Sequence, residues 1–223
     1  KDALHKLQDL FLKNNIVIMV GGSGLYTQAV IDGLDYFPEI NPEIRLNLNQ
    51  QLENGGLKIL QNKLKELDLT SYNTIEIDNP HRLIRALEIC IGTGKPYAAF
   101  KNQPKEKRTF TPIKIGLEAD REFMYNRINK RVDLMFKEGL LDEAKELYKY
   151  KDLNALQTVG YRELFNYFAG NYTLEFAVEE IKKNTRRFAK RQITWNKKDT
   201  TIHWFNYKEN TSEIIKKIEE KII

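Results

Sequence analysis

The sequence predicts an α/β protein in which a parallel-sheet core is interrupted by an all-helical insertion. Three observations predict it. Ile16–Val20 is a continuous, mostly β-branched apolar run leading into Gly21-Gly22-Ser23-Gly24, the pattern of a strand buried on both faces and followed by a tight turn. Asp35 to about Arg108 carries repeated helix starts and stops with little strand pattern. Beyond it, Pro112–Ala119 and Thr201–Phe205 read as strands separated by long helical stretches. The core is assigned to 1–36 and 109–223, and the insertion to 37–108.

Composition narrows the classes. With 223 residues and 41% hydrophobic content the chain can bury a real core and is not a disordered segment. Cys90 is its one cysteine, so no disulfide framework argues for an oxidising compartment. No apolar run approaches membrane-spanning length and no signal peptide is visible, so no membrane partner and a cytoplasmic location are expected. The chain starts at Lys1 within an amphipathic helix expected over Asp2–Asn14. It is therefore expected to be a fragment lacking an amino-terminal part. The net charge of +5 is modest, and its distribution matters more.

In the first βα unit, Gly21, Gly22 and Gly24 are expected to let the backbone turn at the strand's carboxyl end, the edge where open α/β sheets bind ligands. The helix after it, about Leu25–Gly33, aims free N–H groups at that edge. Ser23 presents its hydroxyl either to a bound oxyanion or to the helix as an N-cap. The turn is neither a P-loop nor a dinucleotide fingerprint, because no Gly-Lys-Ser/Thr follows and Thr27 stands where a third glycine belongs.

In the insertion, Asn41-Pro42-Glu43 starts a helix. Helices are expected over Pro42–Glu53 and Leu57–Leu67, separated by Asn54-Gly55-Gly56. Asn79-Pro80 opens a third, closed by Gly92-Thr93-Gly94. Leu83, Ile84, Leu87 and Ile91 form its apolar stripe. Arg82 and Arg85 project away, either to fork onto phosphates or base edges or to pair with Glu88 or another acid.

After the strand at Pro112–Ala119, Asp120 caps a helix over Arg121–Lys137 with Met124, Ile128, Val132 and Met135 on its buried stripe. Arg131 lies on the stripe's margin, so its guanidinium is expected to be half buried and to need a carboxylate or a bound anion. Asp133 is on another face, and the anion is favoured. Helices follow over Leu140–Tyr150, Gly160–Ala169 and Leu174–Lys197, and the last over Ser212–Ile222. In the long helix Lys183, Arg186, Arg187 and Lys190 share one face, while Ala177, Ile181, Phe188 and Trp195 are expected to pack on the core. Like charges four apart repel by a few tenths of a kcal/mol, a cost best explained by a polyanion lying against the helix. A lysine-rich solvated face is the other reading. His5, His81 and His203 show no metal-ligand spacing. The residues alone suggest an enzyme acting on a phosphorylated small molecule and possibly on nucleic acid, without giving the reaction.

GGSGLY with VIDGL, NPEIR, NPHRLIRALEI with GTGKP, RINKRVDLMFKEGLLDE, QTVGYRE and RRFAKRQITW together resemble the tRNA dimethylallyltransferase (isopentenyltransferase) family over nearly the whole chain. The resemblance implies a P-loop-NTPase-like parallel sheet, incomplete in this chain, with a helical insertion contacting the tRNA anticodon arm. It implies transfer of a dimethylallyl group from dimethylallyl diphosphate to N6 of an adenosine beside the anticodon. By the same resemblance Ser23, in place of the family's usual Thr, and Arg131 are catalytic. Gly22, Ser23 and Arg131 hold the diphosphate. Ser23, Arg45, the segment His81, Arg82, Leu83, Ile84 and Arg85, and the segment Gln157, Thr158, Val159, Gly160, Tyr161 and Arg162 contact tRNA. So do Lys190, Arg191, Gln192, Ile193, Thr194, Trp195, Asn196 and Lys197. The family's Asp base and its P-loop with Mg²⁺ are expected in the missing amino-terminal part, so the chain alone is expected to be an inactive monomer. An adenylate isopentenyltransferase acting on free nucleotide, or a non-catalytic RNA-binding module, are the alternatives. The extended basic surface argues against the first and the glycine turn against the second.

Overall fold

In this computed structural model the described residues are 2–105 and 107–222. Lys1 and Ile223, expected in the core, and Glu106, expected in the insertion, lie outside the described residues. The chain forms two compact units, Lys1–Asn15 with Gln28–Thr109, and Ile16–Thr27 with Phe110–Ile223.

The first unit is helical. It holds α1 (Asp2–Phe11), the second half of α2 (Gly24–Ile31), α3 (Pro42–Leu67), α4 (Leu69–Thr74) and α5 (Pro80–Thr93). The starts follow from local chemistry. Asn41 accepts the Glu43 N–H at 2.9 Å with Pro42 in the first turn, and Asn79 accepts the N–H groups of His81 and Arg82 at 3.1 and 3.3 Å. The break expected at Asn54-Gly55-Gly56 falls at Gly56, whose non-helical φ 72° and ψ 179° divide the Pro42–Leu67 span into two helices meeting at a kink, a conformation that suits glycine. Gly94, at φ 67°, ends α5 with its N–H on the Cys90 carbonyl at 3.0 Å. α3 packs on α5 around Leu48, Leu60, Leu64, Leu83, Ile84 and Leu87. Asp68 is buried and accepts the Ser71 and Ala98 N–H groups at 2.9 and 3.0 Å, so it caps α4 and ties down the turn after α5.

The second unit carries the sheet. Its elements are β1 (Ile115–Glu118), α6 (Arg121–Lys137), α7 (Leu140–Leu147), α8 (Tyr161–Phe168), α9 (Leu174–Asn196), β2 (His203–Asn206) and α10 (Thr211–Glu219). β1 and β2 run parallel, Ile115 opposite His203 and Glu118 opposite Asn206, and α6–α9 form the long crossover that a parallel pair requires. Val132, Leu140, Ala144, Leu164, Phe165, Ala177 and Ile181 make the core between those helices. Each fully buried aliphatic side chain contributes about 1.5–3 kcal/mol. The protein is thus mostly helical with a small parallel sheet. No helix among the described residues is long and apolar enough to cross a membrane.

Two expectations are corrected. Ile16–Val20 forms no strand, and Ile18 and Val20 are 84% and 90% exposed. A strand requires a neighbouring edge for its N–H and C=O groups, and among the described residues none pairs with this run. Phe188 and Trp195 are about half exposed, because only the amino-terminal half of α9, around Ala177 and Ile181, enters the core.

Candidate functional site

The Gly21-Gly22-Ser23-Gly24 turn leads into α2, and Ser23 is exposed. Its carbonyl accepts the Thr27 N–H at 3.0 Å, which places it at the N-cap position. Its hydroxyl makes no hydrogen bond among the described residues, so the side-chain cap is not formed and the oxygen is open to solvent. None of Gly21, Gly22 and Gly24 has a positive φ, which corrects the expectation that they serve backbone conformation. Two of them serve close approach. A Cβ on Gly22 would stand 1.7 Å from Gln192 Nε2, and one on Gly24 2.3 Å from the Trp195 ring, whereas one on Gly21 would meet nothing.

Arg131 is exposed, not half buried. α6 turns Asn129 and Asp133 to α9, where they meet Arg186 at 2.6 Å and Lys182 at 2.8 Å. Arg131 is two residues, about 200°, from each and therefore faces away from α9. The guanidinium makes no ion pair or hydrogen bond among the described residues. Exposure removes the desolvation argument for a bound anion but leaves the donor fork available.

The expected cationic face of α9 is partly occupied from within. Lys183 pairs with Glu180. Arg186 lies over the Tyr125 ring as well as on Asn129, and Arg187 reaches Asn184 at 3.3 Å. Lys182 is held between Asp133 and Glu179, and the Asp133 hydrogen bond, outweighing burial, raises its pKa. Lys190 and Lys198 have no side-chain partner among the described residues. Arg191 lies over Phe188 at 5.7 Å, and Lys197 meets Glu118 at 3.5 Å.

In the helical unit Glu88 is buried and gathers two arginines, Arg45 at 2.9 Å and Arg85 at 3.0 Å. Arg85 also sits over the Phe37 ring, which stacks on Tyr97. The arginine–glutamate pairing is therefore made, with outer faces of both guanidiniums still exposed. Arg82 pairs with Glu76 at 3.2 Å, and His81 is exposed. Leu83 and Ile84 are buried, at 0% and 5% exposure. Their side chains cannot touch tRNA, and they serve to hold Arg82 and Arg85 outward.

The Gln157–Arg162 segment splits the same way. Gln157, Thr158 and Arg162 are exposed, Val159 packs on the second core, and Gly160 is buried at φ 106°. Tyr161 donates to Glu143. The residue that sequence reasoning missed is Glu163, 3% exposed. It accepts the Gly160 N–H at 2.8 Å and Asn184 Nδ2 of α9 at 2.8 Å. The spacing Gly160-x-x-Glu163 is half of a capping box and could have revealed it. On α9, Gln192, Ile193 and Asn196 are half buried, and Thr194 returns its hydroxyl to the Lys190 carbonyl at 2.9 Å. Among the described residues no three His, Cys, Asp or Glu side chains converge on a metal site.

A family model described as IPP transferase matches residues 1–199. The tRNA dimethylallyltransferase of Christiangramia forsetii is 60% identical over 222 residues, covering 100% of this chain and 74% of that protein. That of Flavobacterium psychrophilum is 58% identical over 228 residues, with the same two shares. Among solved structures, the tRNA isopentenylpyrophosphate transferase of Bacillus halodurans is 36% identical, with a TM-score of 0.54 over 89% of this chain and 63% of that one. The tRNA delta(2)-isopentenylpyrophosphate transferase of Staphylococcus epidermidis is 31% identical, with a TM-score of 0.60 over 99% and 74%. A eukaryotic dimethylallyltransferase acting on tRNA, at 24% identity and a TM-score of 0.77 over 99% and 60%, shows likeness of fold.

Proposed function

The chain belongs to the IPP transferase family, and from that premise we propose that it serves transfer of a dimethylallyl group from dimethylallyl diphosphate to N6 of the adenosine 3′ to the anticodon in tRNA. Relatives named tRNA dimethylallyltransferase, 58–60% identical across the chain, support this prenyl transfer. The observation that carries the site is a pair of unpartnered donors in one unit. These are the Ser23 hydroxyl at the start of α2 and the Arg131 guanidinium on α6.

In the reaction the amine nitrogen bonds to the allylic carbon as the carbon–oxygen bond breaks. Diphosphate leaves with the electron pair, and a base takes the amine proton. Negative charge grows on the leaving oxygens, so Ser23 and Arg131 hold the transition state more tightly than the ground state. Mg²⁺ belongs to the reaction that the resemblance implies. Among the described residues no three His, Cys, Asp or Glu side chains are placed to ligate it.

Arg45, His81, Arg82, Arg85, Lys190, Arg191 and Lys197 present cations or donors to the anticodon stem-loop, largely through its phosphates. Residues 37–108 act as the insertion that contacts the anticodon arm. A free nucleotide needs no such spread of cations, which favours tRNA over AMP. The protein works as a cytoplasmic monomer.

The test incubates the full-length protein, carrying the amino-terminal part that the resemblance implies, with labelled dimethylallyl diphosphate and either tRNA or AMP. Label should enter tRNA; label in AMP alone would replace this reading. Arg131→Ala should lower turnover about a hundredfold, the scale of losing one transition-state donor, with tRNA affinity within about twofold. Equal loss of both would remove its role.

A further inference from the structure

We propose that Gln192 and Trp195 are positioning residues for the donor turn, holding Gly22–Gly24 in place instead of reading RNA. The proposal rests on the reading of Gly22 and Ser23 as the diphosphate turn. Gln192 Nε2 donates to the Gly22 carbonyl at 2.5 Å. Trp195 stands three residues on, so the two side chains share one side of α9. Its ring lies where a Cβ of Gly24 would be, with Cδ1 and Nε1 both 2.3 Å from that position. Two glycines of the motif are thus read by one helix, and the third, Gly21, is read by nothing.

The turn has few other means of holding its shape. The run before it, Ile16–Val20, pairs with no strand among the described residues. Among the described residues its local backbone tie is the Thr27 N–H on the Ser23 carbonyl. Ser23 sits between the two clamped glycines, so α9 determines where its hydroxyl points. A shift of an ångström there moves the donor out of line with the leaving oxygen, which is costly in the transition state. Lys190, Arg191 and Lys197 are exposed on the same stretch of helix. One helix therefore presents cations outward and supports the donor turn with its amide and indole.

The experiment compares, in the full-length protein, Gln192→Ala, Trp195→Ala, Gly22→Ala, Gly21→Ala and the double variant Gly22→Ala/Gln192→Ala. Gln192→Ala should lower kcat/KM for dimethylallyl diphosphate by about fivefold or more, the scale of one lost hydrogen bond. Anticodon stem-loop affinity should stay within about twofold. Gly22→Ala displaces the same amide, so the double variant should be no worse than the worse single one. Gly21→Ala should leave stem-loop affinity and amide exchange over 21–27 at the parent values. Weakened stem-loop binding with unchanged donor kinetics in Gln192→Ala would overturn the proposal, as would additive single variants. Amide exchange over 21–27 separates this proposal from the reaction it rests on. Exchange should speed up in Gln192→Ala and Trp195→Ala whether or not label enters tRNA. Unchanged exchange overturns the clamp, whereas absence of label in tRNA overturns only the functional reading.

Discussion

Replacing Glu88 by Gln should weaken RNA binding even though it makes the surface more positive. The buried carboxylate receives Arg45 and Arg85 at 2.9 and 3.0 Å, while those side chains remain 52% and 39% exposed. Burial raises the Glu88 pKa, but the hydrogen bonds from Arg45 and Arg85 outweigh it and bring the pKa below the ordinary 4.5. A lowered pKa means that the stabilisation is present above about pH 4.5 and is lost as pH falls through the folded value. Charge-assisted hydrogen bonds contribute about 1.5–3 kcal/mol each when desolvated. Both arginines can rehydrate once released, so the discounted loss is about 1–2 kcal/mol in total. In a chain of this size that lowers a two-state melting midpoint by about 2–8 °C. Coulomb's law alone predicts tighter stem-loop binding when a negative charge is removed. Loss of fixed geometry predicts the opposite, because about 0.5–1.5 kcal/mol of ordering per arginine must then be supplied on binding. The expected result is a lower midpoint in urea or heat and a stem-loop Kd raised about fivefold at constant salt. Tighter binding with unchanged stability would refute the reasoning.

Glu163→Ala should cost about 2–4 kcal/mol in urea denaturation, because it strands the buried Gly160 N–H and releases Asn184; a change below about 0.5 kcal/mol would mean that the buried bonds do not hold the turn. Asp199 accepts from Lys114 at 2.7 Å and from Thr201, in that order of effect, and its pKa is lowered from 3.8 to about 2. Its contribution is present above about pH 3.8 and lost toward pH 2. Asp199→Asn should therefore flatten part of the acid limb of urea midpoints measured from pH 5 to 2. The effect should stay under about 1 kcal/mol, because the pair is partly exposed. An acid limb identical in the two proteins would show that the Lys114 tie contributes nothing.

Local chemistry was legible wherever it is settled within a few residues. Asn41-Pro42 and Asn79-Pro80 start helices, Gly94 ends one and Gly56 bends one, because each needs only its own side chain and backbone. Leu83, Ile84 and Leu87, and Ala177 and Ile181, are buried for the same reason, since helical periodicity puts them on one face, whereas Ile91 of the expected stripe is 38% exposed. The Ile16–Val20 run shows the limit. Its composition is that of a strand, but a strand exists only when another edge completes its hydrogen bonds.

What the sequence determined by itself, then, is most of the helices, the caps at Asn41 and Asn79 but not a side-chain cap at Asp120, the parts of the stripes around Leu83 and Ala177, and, through its motifs, the family. Tertiary packing decided which polar groups are spent inside the protein and which remain exposed. Lys183 and Arg186 are engaged by Glu180 and Asn129, Glu88 and Glu163 are buried hubs, and the Ser23 and Arg131 side chains are unengaged among the described residues. The glycines of the turn were visible as letters, but the demand on Gly22 and Gly24 comes from Gln192 and Trp195, about 170 residues away. Such demands depend on distances between segments remote in the chain, and short-range pattern contains no record of those distances.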